Sequence, residues 1–527
     1  MKIKFDVTTQ ELAIIRQVLE STLPAHCKVW VFGSRAKNQA KYNSDLDLAI
    51  ECAEALDKTT LMQLETQFDE SRLPYRVDIV ELNKAEPYFK EIVERQKVKF
   101  PFKNNIPELR FSDFISEWCK VTIDEVSHVV TSGSRDWAQY YSTDGAKFIR
   151  MTNLSRNHIH LLLDDLKFVR LPNQGSEGER TSLKSDDILI SITAELGKIG
   201  LVPQDIGEAY INQHTALVRP DVSKMVSSFF AYKLSTRAVN KRLNRLNDSG
   251  AKSGLNLKTI KNFNFLKPEA KEQQKIATFL TTVDKKLNML RRKHALLGTY
   301  KRGLMQKIFS QEIRFKQDDG SDFPDWEEKK IGEVYAWVST NSLSREKLTR
   351  ASGKVQNIHY GDIHTKFPCL FEQQNAGAPY IIDDEFVRKT SVDRFCRVGD
   401  VVIADASEDY KDIGKAIEIV SVKENSLLAG LHTYIARPNI KLALGYSGFV
   451  FQSDSLRKQV MKIAQGVSVL GISKSNLEKL GVQLPTFEEQ QKIANCLIAL
   501  DQKIDAVAQQ ITQLETFKQG LLQKMFV

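Results

Sequence analysis

The feature that most constrains this 527-residue chain is a hexapeptide that occurs twice. Glu-Gln-Gln-Lys-Ile-Ala fills residues 272–277 and returns at residues 489–494, 217 positions later (489 − 272). At the same spacing, the agreement continues as far as Phe309 in the first copy and Phe526 in the second. The chain therefore contains an internal duplication, and a repeated architecture has to be considered before any other feature.

Both copies have the apolar spacing of a helix that pairs with another helix. Apolar residues recur at alternating intervals of four and three, the heptad pattern of a coiled coil. The predicted seam consists of Ile276, Leu280, Val283, Leu287, Leu290, Leu297 and Leu304 in the first copy, and of Ile493, Leu497, Leu500, Ile504, Val507, Ile511, Leu514 and Leu521 in the second. Each run covers about 38 residues and would be roughly 57 Å long as a helix. This length favours a coiled coil over the alternative, two ordinary amphipathic surface helices.

Length, charge and cysteine content limit the class of protein. A single core stops growing at about 250–300 residues, so we expect three or four domains. The net charge of +9 is compatible with a polyanionic partner. The six cysteines contain no Cys-x-x-Cys pair, which predicts a reducing, cytoplasmic location and no structural zinc. No signal peptide and no apolar run of about 18 residues is found, so we expect neither export nor membrane insertion.

Residues 1–104, including a basic linker, are predicted to form a small α/β domain. Thr8 and Glu11 have the spacing of a capping box and open a helix. Three short apolar runs, at residues 29–32, 46–50 and 77–80, are predicted strands.

Three aspartates accompany these strands. Asp45 and Asp47 are two residues apart, so a strand directs both carboxylates to the same face, and Asp78 lies inside the third strand. If the strands pair, the three carboxylates converge, and oxygen-only ligands suit Mg²⁺. Gly33 and Ser34, at a strand-to-helix turn, offer backbone N–H groups to a phosphate. The alternative is a domain whose acids only form local hydrogen bonds.

The segments Gly33-Ser34-Arg35-Ala36, Ser44–Leu48 and Val77–Val80 together resemble the minimal nucleotidyltransferase family, over residues 25–95. The resemblance implies that Asp45, Asp47 and Asp78 bind Mg²⁺ and are catalytic. It also implies that Gly33, Ser34 and Arg35 bind a nucleoside triphosphate. The chain departs from the family pattern at residues 37–38, where Lys-Asn stands and family members often carry glycine.

The rest of the chain repeats at domain scale, which predicts an α/β multidomain protein. We expect two α/β domains, at residues 105–268 and 312–485, followed by long helices at 269–311 and 486–527. Each domain opens on a similar lead-in, Leu-Arg-Phe at 109–111 and Ile-Arg-Phe at 313–315. Late in each domain an aspartate, Asp187 or Asp400, precedes a buried strand.

Residues 106–527, with the duplicated Glu-Gln-Gln-Lys-Ile-Ala helices and the Arg-Phe lead-ins, resemble the specificity subunit of type I restriction–modification enzymes. The resemblance implies that the two α/β domains, at 105–268 and 312–485, are target-recognition domains, each of which reads one half of a split site in double-stranded DNA. It also implies that the two helices pack antiparallel as a spacer and that two modification subunits bind near them. Those subunits would bring S-adenosylmethionine, and a restriction subunit would add ATP-driven translocation. The chain itself shows neither an Asn-Pro-Pro-Tyr-like methyltransferase motif nor a P-loop.

Base reading requires amide, hydroxyl and guanidinium groups beside lysines that contact phosphate. The DNA-binding candidates are Ser132, Ser134, Arg135, Asn153, Lys198, Asn212, Gln213 and Lys252 in the first domain, and Tyr360, Asp362, His364, Lys411 and Lys474 in the second. For each residue taken alone, the alternative is a solvated loop position.

Two functional hypotheses follow. The first is a non-catalytic specificity subunit that recognises an asymmetric, bipartite DNA site and carries an appended nucleotidyltransferase-like domain. The second is a metal-dependent nucleotidyltransferase, acting on tRNA, protein or nucleic-acid ends, that a DNA-binding body directs to its substrate. We favour the first.

Overall fold

The computed structural model describes residues 5–24, 27–41, 44–52, 55–100, 105–135, 137–171, 176–246 and 254–527. The chain forms two compact units, Met1–Thr281 with Lys518–Val527, and Thr282–Phe517. The first holds the N-terminal domain and the predicted first recognition domain, and the second holds the predicted second recognition domain. The finer division into five segments stays a prediction.

The N-terminal domain is a four-stranded sheet with helices, as predicted. Its sheet has the order β3-β2-β1-β4, in which only the β2–β3 pair is parallel. The elements are α1 (Thr9–Thr22), β1 (Lys28–Phe32), α2 (Gly33–Ala36), β2 (Leu46–Glu51), α3 (Lys58–Asp69), β3 (Val77–Glu81), α4 (Pro87–Gln96) and β4 (Val98–Lys99). The Thr8–Glu11 capping box is present at the start of α1, and all three predicted strands form.

The first recognition domain contains two four-stranded sheets, β11-β10-β13-β6 and β12-β8-β9-β7, and a β14-β5 pair. Its strands are β5 (Cys119–Thr122), β6 (Ser127–Ser132), β7 (Tyr141–Ser142), β8 (Ala146–Ile149), β9 (Lys167–Val169), β10 (Ile188–Ser191), β11 (Ile199–Leu201), β12 (Ala209–Ile211), β13 (Thr215–Pro220) and β14 (Asn264–Lys267). Its helices are α5 (Ser176–Thr181), α6 (Ser227–Ser235), α7 (Arg237–Arg245) and α8 (Leu257–Lys261), and the long helix α9 (Ala270–Phe309) follows.

The second recognition domain is built on the sheets β16-β25-β21-β23-β19 and β17-β20-β18-β24, with the pairs β15-β27 and β22-β26. Its strands are β15 (Glu327–Lys330), β16 (Tyr335–Val338), β17 (Leu348–Thr349), β18 (Gln356–Ile358), β19 (Leu370–Glu372), β20 (Tyr380–Ile381), β21 (Val401–Ala404), β22 (Ala406–Ser407), β23 (Ala416–Ser421), β24 (Leu427–Ala429), β25 (Thr433–Pro438), β26 (Leu470–Gly471) and β27 (Gly481–Leu484). Its helices are α10 (Ile331–Val334), α11 (Tyr360–Thr365), α12 (Gln373–Ala376), α13 (Asp384–Lys389), α14 (Tyr446–Val450), α15 (Asp454–Ile463) and α16 (Lys474–Leu477), and the long helix α17 (Phe487–Lys524) follows.

Most of the predicted helical seam is buried. Ile276, Leu280, Val283, Leu287, Leu290, Ile493, Leu497, Leu500, Val507 and Leu521 are buried, and Leu297, Leu304, Ile504, Ile511 and Leu514 are half-buried. Within the second unit, the ion pairs Arg291–Glu515 (2.6 Å) and Lys301–Asp501 (2.5 Å) join α9 to α17. Residue numbers rise along one helix as they fall along the other, so the helices run antiparallel there. Knobs-into-holes packing of the seam stays a prediction.

The repeated hexapeptide anchors each long helix to the recognition domain in its own unit. Fully buried Glu272 accepts hydrogen bonds from Arg110 Nε and Nη2 (both 2.7 Å) and from Trp118 Nε1 (3.3 Å). In the second unit, Glu489 accepts from Arg314 Nε (3.2 Å) and Nη2 (2.8 Å) and from Trp326 Nε1 (3.0 Å) in the same way.

The following glutamine of the hexapeptide has duplicated contacts too. Gln273 accepts from the Val226 N–H and donates to the Pro268 carbonyl, both at 2.9 Å. Gln490 accepts from Ala443 (3.0 Å) and donates to Pro485 (2.9 Å). The sequence identity of the two hexapeptides thus corresponds to an identical set of buried hydrogen bonds.

The C-terminal end of each long helix also meets a lead-in. The Ile313 N–H donates to the Lys307 carbonyl (3.1 Å), and the Leu109 N–H donates to the Lys524 carbonyl (2.9 Å). The end of α17 is therefore bonded to the first lead-in as the end of α9 is bonded to the second.

Two cysteines that are 25 residues apart in the sequence meet in the structure. Cys27 directly precedes β1 and Cys52 directly follows β2, and Lys28 pairs with Glu51 in the antiparallel ladder. The two cysteines are consequently neighbours, with Cα atoms 4.3 Å apart, and form a disulfide. Separately, no helix among the described residues is long and apolar enough to cross a membrane.

We expect Arg110→Ala to destabilise the first unit by about 3–5 kcal/mol, because it leaves the Glu272 carboxylate buried and unpaired. Urea unfolding followed by tryptophan fluorescence measures the change. The matched control is Arg170→Ala, which breaks a 2.6 Å pair with Asp144 whose side chains are both largely exposed. That control should cost much less, because solvent screens an exposed ion pair. Equal costs for the two variants would contradict an anchoring role for Glu272.

Candidate functional site

The parallel β2–β3 ladder brings two of the predicted catalytic aspartates together. Asp47 lies directly opposite Asp78 in the register, and both side chains are partly accessible. Asp45 lies two residues before Asp47, just outside the strand, and is exposed. The N-terminal domain therefore gathers the three carboxylates at one end of β2.

The carboxylates perturb one another. Burial raises the pKa of Asp47 above its ordinary value, the charges of Asp78 and Asp45 raise that pKa further, and Arg35 opposes the change. Among the described residues, no three acidic, histidine or cysteine side chains form a ready-made metal site. The donors nevertheless fit Mg²⁺, which commonly binds one or two carboxylates together with the phosphates of a nucleotide.

Gly33 brings the turn after β1 against this cluster. Its φ of +70° lies in the left-handed region, and a Cβ atom at this position would lie 2.0 Å from Asp47 Oδ2. Only glycine therefore allows the loop to approach the carboxylate so closely. Asn38, in the Lys-Asn pair at 37–38, has a φ of 55°, a left-handed conformation that asparagine adopts more readily than most residues.

The Arg35 side chain holds the loop from behind. Its guanidinium donates to the backbone carbonyls of Ser44 and Asp6 and lies 3.5 Å from the centre of the Tyr75 ring. The side chain is buried, so its contacts favour a structural role. Nucleotide binding by Gly33, Ser34 and Arg35 stays a prediction.

In the first recognition domain, several DNA-binding candidates meet at one end of the β11-β10-β13-β6 sheet. Ser132 pairs with Ala216 near the start of β13, and Ser134 forms a bridge with Asn212. Lys198 accepts a backbone hydrogen bond from Ser191, at the end of β10. Gln213 follows Asn212 directly. The sheet thus gathers candidates that are up to 81 residues apart (213 − 132).

Three other candidates have different outcomes. Arg135 is exposed beside Ser134. The predicted DNA contact of Asn153 is corrected, because its side chain is buried and forms hydrogen bonds with the backbone of Arg150, Leu162 and Asp165. Lys252 lies outside the described residues.

The second recognition domain gathers its candidates at the corresponding end of its larger sheet. His364 Nε2 lies 2.9 Å from the carbonyl oxygen of Ala406, just beyond β21, and the Tyr360 ring packs edge-on against the His364 ring at 5.9 Å. Lys474 lies near the ring of Tyr434 (5.5 Å), at the start of β25. Tyr360, His364 and Lys474 therefore belong to one cluster.

The other two candidates of this domain again differ. Lys411 is exposed in the loop after β22. The predicted DNA contact of Asp362 is corrected, because its carboxylate is buried and ion-paired with Arg345 (2.5 Å) and Lys366 (2.7 Å). Burial by itself would raise the pKa of Asp362, but the two ion pairs together outweigh burial and lower it, so the group serves as an internal anion.

Sequence reasoning missed a histidine in each cluster. β13 and β25 share the pattern Thr-x-x-x-Arg-Pro, and a histidine, His214 or His432, precedes each strand. The strand arginines are also equivalent, since Arg219 pairs with Asp187 (2.7 Å) and Arg437 with Asp400 (2.8 Å). This second, shorter repeat was the available signal.

Comparisons with known proteins match both parts of the chain. The family model described as type I restriction modification DNA specificity domain matches residues 115–297 and 324–516, and the model described as polymerase beta, nucleotidyltransferase matches residues 15–100. The chain belongs to the type I restriction–modification specificity family. Its N-terminal domain belongs to a nucleotidyltransferase family.

Two relatives each match one of these two parts. The putative type I restriction enzyme MjaX specificity subunit of Methanocaldococcus jannaschii is 24% identical over 366 residues, which cover 64% of this chain and 76% of the relative. The probable protein adenylyltransferase MntA of Haemophilus influenzae is 39% identical over 105 residues, 20% of this chain and 91% of the relative. The crystal structure of the type I restriction–modification S subunit from M. genitalium covers 80% of this chain and 99% of its own, with 15% identity and a TM-score of 0.48.

We expect the Asp47→Asn substitution to stabilise the N-terminal domain at pH 7, in buffer that contains no divalent cations. A raised pKa means that the fold disfavours the ionised carboxylate, so the penalty is absent below the ordinary pKa of 3.8 and grows as the pH rises through the folded pKa. The gain should be about 0.5–1 kcal/mol at pH 7 and should vanish near pH 3. Thermal unfolding across this pH range measures it.

Asp57→Ala is the control of opposite sign. The hydrogen bonds from Thr60 lower the pKa of Asp57, so this variant should lose stability at pH 7. A destabilised Asp47→Asn domain at pH 7 would contradict the electrostatic interpretation.

Proposed function

We propose that this chain is the DNA specificity subunit of a type I restriction–modification complex and that it reads an asymmetric, bipartite site in double-stranded DNA. The observation that supports the proposal is the contrast between the two recognition domains. They share the strand pattern, the Asp–Arg pairs and the anchoring of the hexapeptide, yet they carry different polar side chains at the same end of the sheet. Two domains with the same backbone architecture but different polar side chains are suited to two half-sites of different sequence.

The long helices would act as the spacer between the half-sites. A helix rises 1.5 Å per residue, so one heptad inserted into each helix adds about 10 Å, the length of about three base pairs of B-DNA. We expect such a double insertion, after Leu290 and after Ile504, to lengthen the gap in the recognised sequence by about three base pairs. Enrichment of bound duplexes from a random library, followed by sequencing, measures the gap. An unchanged gap would contradict the spacer role.

The second part of the proposal concerns assembly. Helix α9 carries an exposed apolar stripe of Met289, Leu296 and Tyr300, each about 60% accessible. Contiguous exposed apolar surface is typical of protein–protein contacts. We propose that the modification subunits bind along the paired helices and bring S-adenosylmethionine, since the chain itself has no methyltransferase motif. A restriction subunit would bring ATP hydrolysis, and cytoplasmic DNA would be the substrate.

We further propose that the N-terminal domain transfers a nucleotidyl group from a nucleoside triphosphate to a protein hydroxyl. The hydroxyl oxygen forms a bond to the α-phosphorus, pyrophosphate leaves, and the hydroxyl proton is released. The relative that supports this proposal is MntA, a probable protein adenylyltransferase. Asp47 and Asp78, with Asp45 at the rim, would hold Mg²⁺, which neutralises phosphate charge when bound. The Gly33–Ser34 backbone would place the triphosphate against these carboxylates, because glycine lets the loop approach them.

The test is label transfer by the full chain from α-labelled ATP, CTP, GTP or UTP, with Mg²⁺ and with host protein, tRNA or DNA. The Asp45→Asn/Asp47→Asn double variant should lose at least about 100-fold in rate, since removing a positioned charge-stabilising group commonly costs that much. The control is Glu65→Gln, an exposed acid on α3. Label on tRNA or DNA alone would contradict the protein acceptor, and equal labelling by the double variant would contradict the assigned site.

A further inference from the structure

The histidines before β13 and β25 occupy one backbone position in two copies. The Ile192 N–H donates to the His214 carbonyl (3.0 Å), and the Asp405 N–H donates to the His432 carbonyl (3.1 Å). The strand after each histidine, β13 or β25, begins at a threonine. It pairs with the strand that directly follows the aspartate of the Asp–Arg pair, β10 in the first domain and β21 in the second. Each histidine is therefore fixed at the end of the sheet where the DNA-binding candidates cluster.

Nδ1 of each imidazole also contacts a side chain just after β10 in the first domain or β21 in the second. His214 Nδ1 lies 2.8 Å from Thr193 Oγ1, and His432 Nδ1 lies 3.2 Å from Asp405 Oδ1. His432 is about half exposed and its ring packs edge-on against Tyr360 at 5.3 Å. Two domains that have diverged in most side chains have kept an oriented imidazole at this position.

We infer that His214 and His432 determine the sequence specificity of the two half-sites, His432 by contacting a base and His214 by positioning Gln213. This inference rests on the proposed DNA-recognition function.

The different neighbours explain the two roles. In the second domain, Leu431 precedes the histidine and has no hydrogen-bonding group, so the imidazole itself is the available reader. When Nδ1 of His432 donates to the Asp405 carboxylate, Nε2 of the ring is left as an acceptor. The major-groove donors that this Nε2 could contact are the amino groups of adenine and cytosine.

In the first domain, Gln213 takes the place of Leu431. Its Nε2 lies 3.2 Å from His214 Nε2, so the ring orients the carboxamide. An amide held by one N–H keeps its oxygen and its second N–H for a base, the pair of groups that matches adenine in the major groove. His214 is therefore a positioning residue, and Gln213 is the reader.

The test is enrichment of bound duplexes from a random library by the full-length chain. Wild-type protein should give a bipartite motif; no motif at all would overturn both the proposed function and this inference. Given a motif, His432→Asn should lower discrimination at one or two base pairs of one half by roughly tenfold and leave the other half unchanged. Asparagine tolerates the φ of 55° at this position, so the backbone is kept.

Variants of the first domain supply the positioning test. His214→Ala and Gln213→Leu should relax the same base pair of the other half, and the double variant should add nothing to either single variant. A merely structural histidine would instead weaken binding to all sequences alike, and that result would overturn the inference.

The matched control is His128→Ala. His128 is also exposed and faces a carboxylate, Asp221 at 3.5 Å, but it lies beside the opposite end of β13. Its motif should equal that of the wild type. Unchanged motifs for the His214 and His432 variants would overturn the inference while leaving the proposed function intact.

Discussion

The structure depends on a buried carboxylate that occurs twice. Glu272 and Glu489 are each removed from water at the start of a long helix, and an isolated buried charge would be strongly unfavourable. An arginine and a tryptophan from the lead-in satisfy each carboxylate, which fixes the lead-in, the helix and the recognition domain together. Because a change in any one partner leaves the others unsatisfied, the hexapeptide and the lead-ins have stayed alike while the domains diverged.

The two recognition domains also share the contacts that support their sheets and differ in the side chains at one end of those sheets. Arg219 and Arg437 hold aspartates at the base of the central strands, whereas the groups at the far ends differ, as Thr193 and Asp405 illustrate. A rigid sheet can present different side chains without altering its own hydrogen bonds. This arrangement explains how one architecture could read two unrelated sequences.

Local patterns were enough to predict the frame, but not every side-chain role. The apolar heptads and the three strands follow from spacing alone, because helix and strand periods are fixed by backbone geometry. Asp47 lies opposite Asp78 only because β2 pairs with β3 in this register. The sequence does not distinguish a polar residue that contacts DNA from one that bonds to buried backbone or to a buried charge. Asn153 and Asp362 are of the second kind, so predicting them as DNA contacts is incorrect. Cys27 and Cys52 meet through a strand register that no local pattern encodes.

The N-terminal domain shows why a nucleotidyltransferase-like site has to oppose stability. Gly33 allows backbone to approach Asp47, and burial with like charge raises the pKa of that carboxylate. Each feature is unfavourable in the free domain, since glycine is flexible when unfolded and paired anions repel. A bound cation with a triphosphate would relieve the repulsion between the carboxylates and fit the close approach of the loop, so the features that weaken the free domain are those that would favour such a ligand.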